Sequence, residues 1–274
     1  MKKKTAAIGL LISLLSLGEP VAVKAGSIST PVGFIFSIAE SSKAESAYSL
    51  NKQGNTKLDT GDINGAISDY TKAIEINPNY SDAYVNRGVA KGNSGDNAGA
   101  ISDYSKAIKI DQSYTLAYVN RGVAKKNIGD HLGAISDYSK AIEIDPMYAS
   151  AYNNRGSIKD EQLQDPYGAI SDYNKAININ PKYAYAYYNR GIAKKSIGDY
   201  LGAISDYSKA IEIDQNYANA YINRGLIKDE QLRDRKGACS DWIKASNLGD
   251  ENSAKWVKED CQWLFIIWIK DWSL

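Results

Sequence analysis

At 274 residues the chain is long enough for a large buried core, and its 24% charged and 43% hydrophobic residues are ordinary for a soluble protein. Net charge is +1 overall and −2 once the first 25 residues are set aside (29 basic, 31 acidic), with no long run of Lys or Arg. That balance excludes the basic footprint that nucleic-acid binding requires.

Residues 1–25 read as a secretory signal peptide. Lys2, Lys3 and Lys4 give a positive start, Ala6 to Leu17 is apolar but for two serines, and Val23-Lys24-Ala25 offers small residues before a cut preceding Gly26. The apolar run is too short to span a bilayer, which needs about 20 residues. The untidy Glu19-Pro20 leaves an uncleaved amino-terminal anchor as the alternative. The chain is therefore expected to be exported, to a periplasm or an equivalent lumen such as that of the thylakoid. Residues 26–46 are Ser-rich, contain Pro31 and Gly33, and read as a linker.

From 47 to 248 one unit recurs. Its starts fall at Ala47, Ser81, Thr115, Ala149, Ala184 and Ala218, at steps of 34, 34, 34, 35 and 34 residues. Self-similarity at that period predicts helix–turn–helix units stacked into a solenoid, each packing only on its neighbours. In the second unit the spacing predicts helices over Asp82 to Ser94 and Asn97 to Ile110. Gly95 ends the first helix and Asp96 caps the second. Gly88 sits mid-helix, where it costs about 1 kcal/mol relative to Ala. Its recurrence at Gly54, Gly122, Gly156, Gly191 and Gly225 demands a packing reason. Close approach of the second helix at Ala100 is the simplest.

The sequence of a large aromatic, Gly, Ala, aromatic, Ala and Pro at Tyr152, Gly156, Ala169, Tyr173, Ala176 and Pro181 resembles the tetratricopeptide repeat (TPR) family, and the match extends over six units. The Tyr-Asn-Arg-Gly and Ser-Asp-Tyr variety is similar to that of exported bacterial proteins. The resemblance implies an all-α, right-handed α-solenoid of six TPR helix-turn-helix repeats plus a carboxy-terminal closing helix. Gln112 and Gln215 replace the usual closing Pro, which should loosen those junctions. Units four and six replace Gly-Asp with Lys-Asp-Glu-Gln-Leu and carry one extra residue each.

In the resembling family the first helices line a concave face. Asn86, Asn120, Asn154, Asn189 and Asn223 would point into it as a ladder able to donate to and accept from an extended peptide backbone. The competing reading is that each Asn bonds only its neighbours. Arg87, Arg121, Arg155, Arg190 and Arg224 follow the ladder. They are expected to pair with Asp69, Asp103, Asp137, Asp172, Asp206 and Asp241 across adjacent helices, rather than to hold an acidic ligand. Variable positions beside the ladder (Val85, Val119, Asn153, Tyr188, Ile222) and one turn on (Val89, Val123, Ser157, Ile192, Leu226) are the candidates for specificity. His131, the single histidine, should be solvated. There is no phosphate-binding glycine loop, Cys–His pair or metal-ligand cluster, so no catalytic residue, metal or cofactor is expected.

Residues 249–262 read as the closing helix, over about Glu251 to Cys261. If it runs antiparallel to the helix before it, Cys261 lies beside Cys239, and in an exported chain the two would form a disulfide. Residues 263–274 are an apolar, aromatic tail that could fold back, rest at a membrane interface or bind a partner. The expected function is a non-catalytic scaffold binding a peptide or partner helix. A membrane-associated assembly factor and an enzyme or enzyme-activating subunit are the alternatives.

Overall fold

The computed structural model of the protein describes residues 31–261, with side chains from residue 43 onward. The expected signal peptide at 1–25 and the aromatic tail at 263–274 lie outside these residues. Among the described residues there are thirteen helices and no strand. They are α1 (Pro31–Asp59), α2 (Ile63–Ile76), α3 (Ser81–Asn93), α4 (Asn97–Ile110), α5 (Thr115–Asn127), α6 (His131–Ile144), α7 (Ala149–Glu161), α8 (Pro166–Ile179), α9 (Ala184–Ser196), α10 (Tyr200–Ile213), α11 (Ala218–Glu230), α12 (Arg235–Asn247) and α13 (Glu251–Asp260). From Ala47 onward each helix packs on those before and after it in the chain, as six helical pairs and a closing helix require.

One boundary differs from expectation. The linker assigned to 26–46 is helical from Pro31, and α1 runs 29 residues unbroken into the first unit. Pro suits the first turn of a helix, and between Gly33 and Gly54 the sequence contains neither Gly nor Pro to stop it.

The turns follow the caps. Gly61, Gly95, Gly129 and Gly198 take φ of +81° to +90° at the ends of first helices, a conformation that costs other residues about 1–2 kcal/mol. The next residue caps the second helix: Asp96 Oδ1, for example, accepts from the Gly99 N–H at 2.8 Å. In units four and six, where that Gly is missing, the extra residue lets Gln164 and Arg233 take the left-handed conformation instead, just before the caps Asp165 and Asp234. Between units, Asp111 and Asp214 accept from the N–H two residues on, as Asn77, Asp145 and Asn180 do. The turns at Gln112 and Gln215 therefore keep the same hydrogen bond as those with Pro.

The core is Ala and Tyr. Ala66, Ala100, Ala134, Ala169, Ala203 and Ala238 are fully buried, and beside them lie Tyr70, Tyr104, Tyr138, Tyr173, Tyr207 and Trp242. The mid-helix glycines serve these rings, not the backbone near Ala100. A Cβ on Gly122 would sit 2.6 Å from Cε1 of Tyr138, and Gly54, Gly88, Gly156 and Gly191 face their own tyrosines in the same way. The propensity cost of each Gly is the condition for seating one large ring per unit.

Candidate functional site

Before a surface can be assigned to a ligand, the groups already committed to packing must be removed from it. The arginines are committed. Arg121 Nε and Nη2 donate to both carboxylate oxygens of Asp137 at 2.9 and 2.7 Å, and Nη1 donates to Ser105 Oγ of the preceding unit at 3.0 Å. Lys125 adds an ion pair to Asp137 at 2.9 Å, and the guanidinium lies 5.5 Å from the Tyr118 ring centroid. Arg87, Arg155, Arg190 and Arg224 repeat this arrangement with Asp103, Asp172, Asp206 and Asp241. Each clamp joins the two helices of its unit and ties them to the second helix of the unit before. Three of the five guanidinium N–H groups are held within the fold and the paired carboxylate offsets the charge, which leaves little to attract an acidic ligand. In the first unit Gln53 replaces Arg, and the buried Asp69 pairs with Lys57 at 2.6 Å.

The ladder asparagines are all half-buried, but they are not alike. Asn86 donates to Asn51 Oδ1 (3.0 Å), Asn189 to Asn153 Oδ1 (3.1 Å) and Asn223 to the Tyr188 hydroxyl (3.0 Å). Each of these partners sits one unit back, at the variable position beside the ladder. Asn154 accepts from Asn153 at 3.4 Å. Asn120 faces Val85 and Val119 instead, neither of which offers a polar atom. Its side-chain amide makes no hydrogen bond among the described residues.

The variable positions also separate. Val85, Val119 and Asn153 are buried between units, while one turn on Val123 and Ile192 are 39% and 37% exposed. At the later position exposure is uneven, since Ser157 is buried and Val89 and Leu226 are partly buried, so Val123 and Ile192 are the positions of these two series that stand most open. His131, expected in solvent, is half-buried, and its Nδ1 is shielded and unpartnered.

Two features of the first helices stand out. Between α3 and α5 lies a cavity of about 210 Å³, lined by Val89, Gly92, Asn93, Asn97, Ala100, Tyr104, Asn120, Val123, Ala124 and Asn127. None of these residues is charged. Farther along, Tyr188 packs on Tyr217 and Tyr207 with ring centroids 4.8 and 5.8 Å apart, and the exposed Tyr185 lies 5.4 Å from Tyr217. Sequence reasoning missed Gly92, Asn93 and Asn127. The signal was there: the sites equivalent to Gly92 hold Leu58, Lys126, Asp160, Lys195 and Asp229, so Gly92 is the one place in that series without a side chain.

At the carboxy-terminal end, Cys239 on α12 and Cys261 just after α13 are both fully buried and joined in a disulfide, with Cα atoms 5.7 Å apart. Trp242, Trp256 and Val257 pack around it. Closing a loop of 22 residues restricts the unfolded chain by about 3 kcal/mol. In an array of near-independent units that contribution is local. Reduction is thus expected to remove hydrogen-exchange protection from α13 and the end of α12 and leave α5 to α8 unchanged. A uniform loss of protection, or none, would contradict this.

Models of the TPR repeat match residues 54–95, 128–159 and 167–198, and models of the tetratricopeptide repeat match 81–114 and 184–217. Together they cover more than half of the chain. No curated protein matches the sequence significantly. Among solved structures, MamA is similar at 30% identity, with 61% of this chain and 96% of that one covered and a TM-score of 0.55. YrrB, described as a TPR protein with an unusual peptide-binding site, is 23% identical, with 69% of this chain and 97% of that one covered and a TM-score of 0.55. PilF of Pseudomonas aeruginosa is 19% identical, with coverage of 80% and 100% and a TM-score of 0.69. The chain belongs to the tetratricopeptide repeat family.

Proposed function

We propose that this protein is a non-catalytic scaffold that captures an extended peptide or a partner helix in the groove lined by its first helices. One observation carries the reading. The residues that hold the solenoid together recur from unit to unit, whereas the groove residues do not. Beside the recurring Asn ladder, the exposed Val123 and Ile192 differ, and Gly92, Lys126, Asp160 and Lys195 change at each step. A surface that is regular in spacing and irregular in chemistry suits a ligand that runs along it and offers a different side chain to each unit. Asn120, with an uncommitted amide, can hold such a ligand's backbone. Asn86, Asn154, Asn189 and Asn223 keep part of their hydrogen-bonding capacity for the same purpose.

We further propose that the protein is exported and meets its partner in an oxidising compartment. The positive start and short apolar run of its leader support this, as does the buried Cys239–Cys261 pair, since disulfides persist mainly in such compartments.

The test is selection of binders from a random-sequence peptide library on the full chain, with a photocrosslinker placed in turn at Val123, at Ile192 and at the exposed Leu132 and Leu201 of second helices. Crosslinking is expected only from the first two positions. Asn120→Ala with Asn154→Ala should weaken binding about tenfold, the worth of roughly one to two hydrogen bonds. Crosslinking only from Leu132 or Leu201, or affinity unchanged in the double variant, would refute the groove and the ladder respectively.

A further inference from the structure

The cavity between α3 and α5 has a counterpart in the first unit, and four of its ten lining positions differ: Val89, Gly92, Asn93 and Asn97 stand where unit one has Asn55, Leu58, Asp59 and Ile63. In unit one, Leu58 packs over Ala66, Tyr70 and Ala90. In unit two the corresponding residues are Gly92, Ala100, Tyr104 and Ala124, and the last three line the cavity left open by the glycine. Farther along, Lys126 stands at the site of Gly92 and reaches across to the next unit, donating to Ser157 Oγ at 3.0 Å and pairing with Glu161 at 3.4 Å. The cavity is thus the space of one missing side chain. The second difference is polar. The Tyr70 hydroxyl donates to Asn55 Oδ1 at 2.8 Å. At the equivalent of Asn55 unit two has Val89, and the Tyr104 hydroxyl has no hydrogen-bond partner among the described residues. Tyr104 is 4% exposed, and burial pushes its phenol above its ordinary value, so the proton to be donated stays in place.

An occupant that completes this site must therefore supply what Leu58 and Asn55 supply in unit one: an apolar stem and, beyond it, a hydrogen-bond acceptor. It must also be neutral, because no lining residue offers a charge to pair with. At about 210 Å³ the space is somewhat larger than the roughly 150 Å³ that encloses benzene and far below the range for drug-sized ligands. It holds one side chain. We infer that this cavity is the anchor pocket for a single uncharged side chain of the bound peptide, one that ends in an acceptor, which among the natural residues means glutamine or tyrosine. The amides of Asn93 and Asn120 are placed to take the remaining donors and acceptors of that side chain and its backbone, whereas Asn127 already donates to Asn97 Oδ1 at 3.2 Å. This rests on the groove reading and names which residue of the ligand the groove holds.

The test uses the full chain and capped pentapeptides Ala-Ala-X-Ala-Ala, with X as Gln, Tyr, Leu, Glu or Lys, followed by NMR on the side-chain amides of Asn93, Asn120 and Asn127. Gln or Tyr is expected to bind about tenfold more tightly than Leu, the value of one hydrogen bond, and Glu and Lys more weakly than Leu. The two arms decide between the glutamine and tyrosine forms. Gly92→Leu copies unit one. A Cβ there meets only Ala100 Cβ, at an ordinary 4.0 Å, so the variant is expected to fold, to melt no lower than the parent, and to lose binding. Val89→Asn restores the acceptor of Asn55 and should erase the advantage of Gln and Tyr over Leu. That variant decides the matter even if Gly92→Leu is unstable. Equal affinity for all five peptides, tightest binding of Glu or Lys, or unchanged discrimination in Val89→Asn would overturn the pocket. Library peptides that crosslink to Val123 and Ile192 yet bind Gly92→Leu as well as the parent would overturn the pocket and leave the groove standing. The absence of any groove-binding peptide would instead count against the scaffold reading itself.

Discussion

Replacing Arg121 by methionine is expected to destabilise the array by about 2–4 kcal/mol, the cost of removing two charge-assisted hydrogen bonds from a buried carboxylate that keeps one lysine. Asp137 is 3% exposed and receives two charge-assisted hydrogen bonds from that guanidinium. Methionine keeps much of the apolar stem over Tyr118 and removes only the fork. Asp137 would then keep Lys125 alone, and Ser105 of the preceding unit would lose its donor. The first unit shows that lysines alone are workable, since Asp69 lives with Lys57 and, at 4.0 Å, Lys72. That unit has no clamped unit before it, however, whereas Arg121 joins units two and three. Because units stabilise one another only through their shared faces, weakening that face should also split a single urea transition into two. Removing the carboxylate as well, in Arg121→Met with Asp137→Leu, should recover most of the loss, since an apolar pair avoids the desolvation that the ionic pair must offset. Urea melts of the two single variants and the double variant give the coupling. A loss under about 1 kcal/mol in Arg121→Met, or additive effects in the double variant, would show that the clamp orders the helices without holding them together.

The Arg–Asp clamp was legible because both partners recur with the same period, and a shared period of charge and countercharge is most simply met by contact. Helix ends were legible for a related reason: Gly-Asp carries its own turn and cap chemistry, and the Asx turns between units do not depend on whether Pro or Gln follows. What failed did so where spacing along one helix says nothing about the neighbouring unit. Gly88 was read as serving the second helix near Ala100. It serves Tyr104, whose ring leaves α4 and crosses to α3. Val85 and Val119 were read as groove positions because they stand beside the ladder. They are buried because the next unit's ladder residue lies over that site, and where an acceptor is present there, as at Asn51 or Asn153, the ladder Asn is drawn into the packing. The cavity was overlooked for the converse reason. It is made by a side chain that is missing at Gly92, and that gap shows only when the equivalent positions are read down the repeat, not along one helix. The linker was misread because its Ser-rich composition outweighed the absence of a helix breaker after Gly33.

A sharp loss of stability above pH 10 is the second large effect expected, and it follows from the same rings. Tyr104, Tyr138, Tyr173 and Tyr207 are each less than 5% exposed, and burial, more than the neighbouring carboxylates, raises their phenol pKa values well above the ordinary 10.0. Tyr70 is pushed up to about 12 for the same reason. A pKa that is higher in the folded than in the unfolded chain means stability that is fully present below the unfolded value, near pH 10, and is lost as pH rises toward the folded one. For each such tyrosine the loss is about 1.4 kcal/mol per pH unit, so four together remove roughly 5 kcal/mol per unit once the unfolded phenols ionise. Helix loss by circular dichroism should therefore coincide with the tyrosinate absorbance of these buried rings, read as the difference between the parent and Tyr138→Phe with Tyr207→Phe, because those rings can ionise only by leaving the core. Tyr138 and Tyr207 offer the decisive control. Their hydroxyls are buried without a hydrogen-bond partner, so Tyr138→Phe with Tyr207→Phe removes two unsatisfied polar groups and should cost nothing at neutral pH. It should also halve the alkaline slope contributed by the four rings and move the midpoint upward. A midpoint unmoved in the double variant, or a difference absorbance that precedes helix loss, would place the alkaline limit of this solenoid outside its tyrosine core.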